Sequence, residues 1–156
     1  MQILFVCLGN ICRSPTVEGV ARALAQREAA HLGLQFDSAG TADYHIGHPP
    51  DPRSIKAARA RGYDLSGLRA RQISAGDFRR FDLLLAMDED NLAGMRRLAP
   101  RGLADRAQLF LEYASHTGYR SVPDPYYGEA DGFDTVLDLA EHGVRGLFRS
   151  LEDRRR

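Results

Sequence analysis

The chain has 156 residues, 44% of them hydrophobic, and its 21 basic and 21 acidic side chains give a formal net charge of zero. This length fits one domain, residues 1–156, with a sizeable core. The neutral balance provides no overall attraction to nucleic acid or to an anionic membrane. No apolar run is long enough for a transmembrane helix, and no charged-then-apolar leader is visible, so we expect no membrane association.

Strand-like and helix-like segments alternate along the chain. Four apolar runs predict strands: Ile3–Cys7, Leu34–Ser38, Phe81–Met87 and Ala107–Leu111. Four segments predict helices: Pro15–Leu32, Asp51–Arg61, Asp90–Leu98 and Phe133–Leu151. This alternation predicts an α/β protein with a parallel sheet and helical crossovers. Ligands bind such sheets outside the carboxyl ends of the strands, which is where Cys7 lies.

The segment Cys7–Pro15 is the most informative part of the chain. It places a thiol at the end of a strand, then a short loop with Gly9 and Asn10, and then Arg13. Gly and Asn tolerate the positive φ angles that turn successive backbone N–H groups inward. A ring of N–H groups closed by a guanidinium binds a tetrahedral dianion such as phosphate.

A helix is predicted to start directly after this loop. Ser14 is a suitable N-cap and Pro15 a suitable first helical residue. The positive end of that helix, the loop amides and Arg13 would all favour the thiolate form of Cys7. A thiolate attacks phosphorus, and the planar fork of Arg13 holds two phosphate oxygens, so no metal or other cofactor is needed.

Three other interpretations of the loop fit less well. If Cys7 were an inert buried thiol, the glycine, asparagine, arginine and proline that follow it would have no explanation. Zinc binding lacks a CxxC spacing and a second ligand pair. A nucleotide-binding loop needs a Gly-Lys-Ser/Thr ending, but the only lysine is Lys56.

A second candidate segment is Val122–Gly128, in which two prolines flank Asp124 and two tyrosines follow. Phosphoryl transfer from an aryl ester needs an acid to protonate the leaving oxygen, and Asp124 is a candidate for it. Tyr126 and Tyr127 are suited to hold an aryl group. Taken alone, Asp-Pro-Tyr is more typical of a simple turn.

Together the two segments resemble the low-molecular-weight protein tyrosine phosphatases. Cys7-x-Gly9-Asn10-x-Cys12-Arg13-Ser14-Pro15 resembles their signature loop, and Asp124-Pro125-Tyr126-Tyr127 resembles their acid loop. Four further segments match in order: Asp37–Thr41, Ile46–Asp51, Arg71-Gln72 and Met87-Asp88. The resemblance implies a single-domain three-layer sandwich, in which helices cover both faces of a central four-stranded parallel sheet. It also implies a phosphotyrosine-containing protein substrate and a monomer or weak dimer.

The resemblance also implies roles for individual residues. Cys7 would be the nucleophile, Arg13 would bind phosphate, and Asp124 would act first as general acid and then as base. The remaining implied phosphate-binding or pocket positions are Leu8, Gly9, Asn10, Ile11, Cys12, Ser14, Tyr44, Tyr126 and Tyr127.

Three contacts around the nucleophile are implied as well. Asn10 would hold the loop in shape with Ser38 as its partner, and Ser14 would hydrogen-bond the Cys7 thiolate. Cys12 matches a cysteine that can form a reversible disulfide with Cys7. Because the two cysteines share one loop and do not form a structural staple, we expect a reducing cytoplasm.

The chain departs from the family pattern at one position. Many members carry a histidine before Ala-Arg-Gln that supports the loop asparagine, but residues 66–72 contain none.

Three rival functions are weighed against this interpretation. Arsenate reductases of similar fold need a third cysteine, and this chain has two. Protein-arginine phosphatases carry threonine where this chain has Ile11. The third rival is a phosphate-binding or redox-sensing module without catalysis, in which Asp124 would have no role.

Overall fold

The computed structural model describes residues 1–126, 128 and 131–155. Its strands are β1 (Gln2–Cys7), β2 (Gln35–Gly40), β3 (Leu83–Ala86) and β4 (Ala107–Leu109). Its α-helices are α1 (Arg13–Glu28), α2 (Pro52–Ala60), α3 (Asp77–Arg80), α4 (Glu89–Leu98) and α5 (Gly132–Arg154). Three 3₁₀ segments cover Ala30–Leu32, Ala104–Arg106 and Phe110–Thr117.

The four strands form one parallel sheet in the order β2-β1-β3-β4. Alternate residues of β1 point to opposite faces, as the period of a strand requires. Ile3 and Phe5 join a core with α1, α2 and α5, whereas Leu4 and Val6 join a second core with α3 and α4. The predicted α/β class and the three-layer arrangement are confirmed, and the β1 loop emerges at the centre of the sheet.

Several predicted boundaries differ from the structure. Helix α1 starts two residues before Pro15 and ends at Glu28, and the following 3₁₀ turn was predicted as part of it. The prediction of Ser14 as N-cap is wrong, because Ser14 lies inside the first turn and Cys12 holds the N-cap position without a side-chain cap bond. Strand β2 runs on to Gly40, and β3 is shorter than predicted.

Strand β4 ends two residues earlier than predicted, and the chain turns into the 3₁₀ segment Phe110–Thr117. This segment packs on α5 because Gly143 and Gly146 leave room for it. An added Cβ at Gly143 would overlap the Phe110 ring, and one at Gly146 would overlap the Tyr113 carbonyl. The two glycines inside α5, which lower helix propensity, are therefore explained by this close approach.

Candidate active site

The loop between β1 and α1, residues 7–13 (the phosphate loop), leaves the sheet at the carboxyl end of a central strand. Asn10 adopts the left-handed conformation predicted for it, with φ of 57°. Gly9 was predicted to share that property but does not. An added Cβ at Gly9 would lie 3.0 Å from Cδ2 of His45, so a side chain there would press on the His45 ring.

Cys7 lies buried at the bottom of this loop, with 2% of its surface exposed. Its Sγ is 3.0 Å from Oγ of Ser14 and accepts the backbone N–H of Asn10 at 3.2 Å. Asn10 Nδ2 donates to Ser14 Oγ at 2.8 Å, which leaves the Ser14 hydroxyl hydrogen for the Cys7 sulfur or for the Ala39 carbonyl at 3.4 Å. When Cys7 is a thiolate it can only accept, so Ser14 is then the donor. Both donors stabilise a negative charge on the sulfur.

The side chain of Asn10 is fully hydrogen-bonded and locks the loop. Its Nδ2 also donates to Oγ of Ser38 at 3.0 Å, the partner that the resemblance implied. Its Oδ1 accepts the backbone N–H of Arg71 at 3.0 Å, so this amide supports the loop asparagine from a distant segment. The Arg71 guanidinium is itself held by Asp37 and Asp77.

Arg13 is 3% exposed and is aimed by carboxylates from two distant segments. Its Nη1 donates to Oδ2 of Asp88 at 2.6 Å and to the carbonyl of Val122 at 3.2 Å. Its Nη2 lies 3.7 Å from Oδ2 of Asp124. Burial alone would lower the pKa of Arg13, but the Cys7 sulfur, Asp88 and Asp124 raise it above its ordinary value. The guanidinium therefore stays charged.

Asp124 lies at the rim of the site, with 41% of its side chain exposed. Its Oδ1 accepts the backbone N–H of Tyr126 at 3.0 Å, a turn that fixes the carboxylate locally. The segment therefore forms the turn that is typical of Asp-Pro, and it also places the Asp124 carboxylate beside Arg13.

A cleft of about 270 Å³ joins these groups. It is lined by Cys7, Leu8, Gly9, Ile11, Cys12, Arg13, Tyr44, His45, Asp124 and Tyr126. Tyr44 is largely exposed at its mouth and Tyr126 is partly exposed there, while Ser38 is buried below the loop. Tyr127, the third predicted wall, lies outside the described residues.

Cys12 also borders the cleft but is 5% exposed. Burial raises its pKa to about 12. Cys12 therefore stays protonated at neutral pH, and both cysteines are free thiols.

A larger depression of about 500 Å³ lies elsewhere, against Arg22 and Phe36. Its one guanidinium is already engaged, because Arg22 donates to the Glu18 carboxylate and to the Phe36 carbonyl, each at 2.8 Å. None of its lining residues is a thiol or a carboxylate. The smaller cleft is therefore the candidate site, since it combines a thiol, a cation and a carboxylate.

The sequence prediction missed three contributors to the site: Asp88, His45 and the backbone of Arg71. Asp88 lies two residues after the end of β3, so its place at the carboxyl edge of the sheet was a usable signal. His45 follows the predicted wall residue Tyr44 and was not singled out. The backbone contact of Arg71 has no local sequence signal.

Comparison with known proteins agrees with this geometry. A family model described as low molecular weight phosphotyrosine protein phosphatase matches residues 2–156. The chain belongs to this family. The Schizosaccharomyces pombe low molecular weight phosphotyrosine protein phosphatase is 46% identical over 145 residues, which cover 90% of this chain and 91% of that protein.

Solved structures of other phosphatases are also similar to this one. A protein tyrosine phosphatase from Entamoeba histolytica, crystallised with Hepes in its active site, has a TM-score of 0.94 and 36% identity, covering 100% of this chain and 99% of that one. Vibrio vulnificus Wzb, solved in complex with benzylphosphonate, has a TM-score of 0.84 and 26% identity, covering 96% and 97%.

The chain is thus a phosphotyrosine phosphatase, a hydrolase of the low-molecular-weight family. In residues 1–126, 128 and 131–155, no group of three or more histidine, cysteine or acidic side chains is placed to hold a metal ion. Within the same described residues, no helix is long and apolar enough to cross a membrane.

Proposed function

We propose that this phosphatase hydrolyses phosphotyrosine in proteins through a phosphocysteine intermediate on Cys7, with Arg13 binding the phosphate and Asp124 as general acid and then base. The observation that supports the proposal is that the thiol of Cys7 and the carboxylates of Asp88 and Asp124 all surround the guanidinium of Arg13. Arg13 lies next to the buried thiol in the loop, is ion-paired to Asp88 at 2.6 Å, and is 3.7 Å from Asp124.

In the first step the Cys7 thiolate attacks phosphorus and an S–P bond forms. The P–O bond to the tyrosine ring breaks, and the leaving oxygen takes a proton from Asp124. The planar fork of Arg13 and the loop amides offset the charge on the equatorial oxygens.

In the second step a water molecule attacks phosphorus while the Asp124 carboxylate takes its proton. The S–P bond breaks, phosphate leaves, and the thiolate is restored. The hydroxyl of Ser14 and the N–H of Asn10 assist this step because they donate to the sulfur, at 3.0 Å and 3.2 Å, as it regains its charge.

Preference for an aryl ester is supported by the tyrosine rings of Tyr44 and Tyr126 at the mouth of the cleft. It is also supported by the likeness to Vibrio vulnificus Wzb, which binds benzylphosphonate. Ile11, which borders the cleft, has no hydroxyl for a more polar leaving group. The proposal includes a cytoplasmic location, where a reducing environment keeps Cys7 a free thiol.

The proposal is tested with Cys7→Ser and Asp124→Asn. Cys7→Ser should abolish turnover yet still bind vanadate, because the amides and Arg13 remain. Asp124→Asn should lower kcat/KM more for phosphotyrosine than for p-nitrophenyl phosphate, by a factor within the range of about 10² to 10⁴ that general acids contribute. Turnover by Cys7→Ser would contradict the nucleophile, and equal losses for both substrates would contradict the acid.

A further inference from the structure

The carboxylate of Asp124 has little of its own to fix it over the cleft. It is 41% exposed, its nearest cation is 3.7 Å away, and its short hydrogen bond comes from Tyr126, two residues further along the same turn. A bond within the turn holds the carboxylate relative to Tyr126 but not relative to Cys7. Before Asp124 the chain is tied to the site by Val122, whose carbonyl accepts from Arg13 Nη1 at 3.2 Å and whose N–H donates to the Met87 carbonyl at 2.7 Å. A contact on the other side of Asp124 would complete the placement of the turn.

Arg53, near the start of α2, is linked to the phosphate loop through Asp51, although 48% of its side chain is exposed. Its Nε and Nη2 bind Oδ1 and Oδ2 of Asp51 at 3.0 Å and 2.8 Å, which is a two-pronged ion pair. Asp51 in turn donates its backbone N–H to the carbonyl of Ile11 at 2.8 Å. The guanidinium of Arg53 is thus two contacts away from the loop that surrounds Cys7.

The same guanidinium lies against two aromatic rings of the acid-loop region. Its carbon is 5.3 Å from the centroid of Tyr126 and 4.8 Å from that of Phe133. Tyr126 lies two residues after Asp124 in the turn. Phe133 is a buried residue of the first turn of α5. One planar cation therefore contacts the chain both before and after residues 127–131.

We propose that Arg53 is a positioning residue that holds Asp124 at the leaving oxygen of the substrate. It does so by clamping the rings of Tyr126 and Phe133 to the phosphate loop through Asp51. Arginine suits this role because its flat face stacks on rings while its edge holds a carboxylate, which lysine cannot do at the same time. The inference rests on the proposed role of Asp124 as general acid.

The test uses Arg53→Met, which keeps the aliphatic stem but removes the charge and the fork. For phosphotyrosine, kcat/KM should fall about 10-fold, the scale expected when a supporting contact lets a reacting group drift by a fraction of an ångström. For p-nitrophenyl phosphate, whose leaving oxygen needs a proton less, the loss should be clearly smaller. The vanadate inhibition constant should be unchanged, because the phosphate loop is not altered.

Two further variants separate positioning from a general loss of structure. Arg59→Met removes an exposed arginine near the other end of α2 and should behave as wild type. Asp51→Asn should show the same substrate-selective loss, although weaker. It frees Arg53 from the two-pronged pair while keeping an N-cap for α2, since asparagine caps as well as aspartate.

A double-mutant cycle decides the mechanism. In an Asp124→Asn background, Arg53→Met should cause no further loss, because there is no acid left to position. Equal losses for both substrates, or additive losses in the double variant, would overturn the clamp. If Asp124→Asn alone is not substrate-selective, the proposed function fails, and the clamp fails with it. If Asp124→Asn is selective and neither Arg53→Met nor Asp51→Asn is, only the clamp fails.

Discussion

Gly40→Ala tests whether the phosphate loop depends on a close approach of β2. Gly40 is the last residue of β2 and pairs with Cys7 across the sheet. An added Cβ would lie 2.7 Å from the Leu8 carbonyl oxygen, 3.1 Å from the Gly9 carbonyl carbon and 3.2 Å from the Asn10 nitrogen. All three are backbone atoms of the loop, so no side chain can rotate away to relieve the overlap.

The size of the effect follows from these distances. Ordinary van der Waals contact begins near 3.4 Å, so the loop or the strand must shift by about 0.7 Å. Gly40 cannot move freely, because its N–H donates to the Arg71 carbonyl and its own carbonyl accepts from Ile73, each at 2.8 Å. Overpacking of this kind costs about 1–3 kcal/mol. For a chain of this length that corresponds to a fall in Tm of about 2–12 °C.

Activity should fall together with stability. A displaced loop no longer directs its amides at the phosphate oxygens, and a misplacement approaching 1 Å costs about 10- to 100-fold in kcat/KM. The assays are kcat/KM for p-nitrophenyl phosphate, the vanadate inhibition constant and Tm. Gly67→Ala is the matched control, because a Cβ there meets no atom within 4 Å and should leave all three values unchanged. A folded Gly40→Ala variant with wild-type vanadate affinity and turnover would refute the reasoning.

Three further predictions address other parts of the site. Asp88→Asn keeps a side-chain cap for α4 but removes the charge that faces Arg13. The value of kcat/KM should fall about 10- to 100-fold, which is the equivalent of one charge-assisted hydrogen bond. An unchanged kcat/KM would show that Asp88 only caps the helix. Peroxide should inactivate the wild type reversibly, whereas the Cys12→Ser variant should not recover its activity with a thiol reductant. Burial raises the pKa of Cys12 to about 12. Equal recovery of both proteins would show that Cys12 does not trap oxidised Cys7. The hydrogen bonds from Arg53 lower the pKa of the Asp51 carboxyl in the folded protein. The pair therefore stabilises the native state fully above the pKa of the unfolded chain, about 4, and this stabilisation is lost as the pH falls through the lower pKa of the folded state. Urea unfolding should therefore show Asp51→Asn less stable than wild type at neutral pH, with a difference that shrinks towards about pH 3; an equal difference at both would contradict the linkage.

The sequence alone was enough to predict the fold class and to single out the loop after β1. Apolar runs and helical spacing are local properties, and their alternation indicates a parallel sheet whatever the details of packing. The order of Cys7, Asn10 and Arg13 between a strand and a helix is also local, so its chemistry could be inferred before any contact was known. Helix and strand ends were predicted less well, because packing decides them. The glycines of α5, for example, admit the 3₁₀ segment that shortens β4.

Only the tertiary structure decided what surrounds the loop. Asp88 and Asp124 reach Arg13 because they lie in segments after β3 and β4, whose carboxyl ends meet at the same edge of the sheet as that of β1. The backbone N–H of Arg71 supports Asn10, and this contact could not be predicted because every residue except proline carries a backbone N–H. The pairing of distant segments depends on the twist and order of the whole sheet, which no single stretch of the chain encodes.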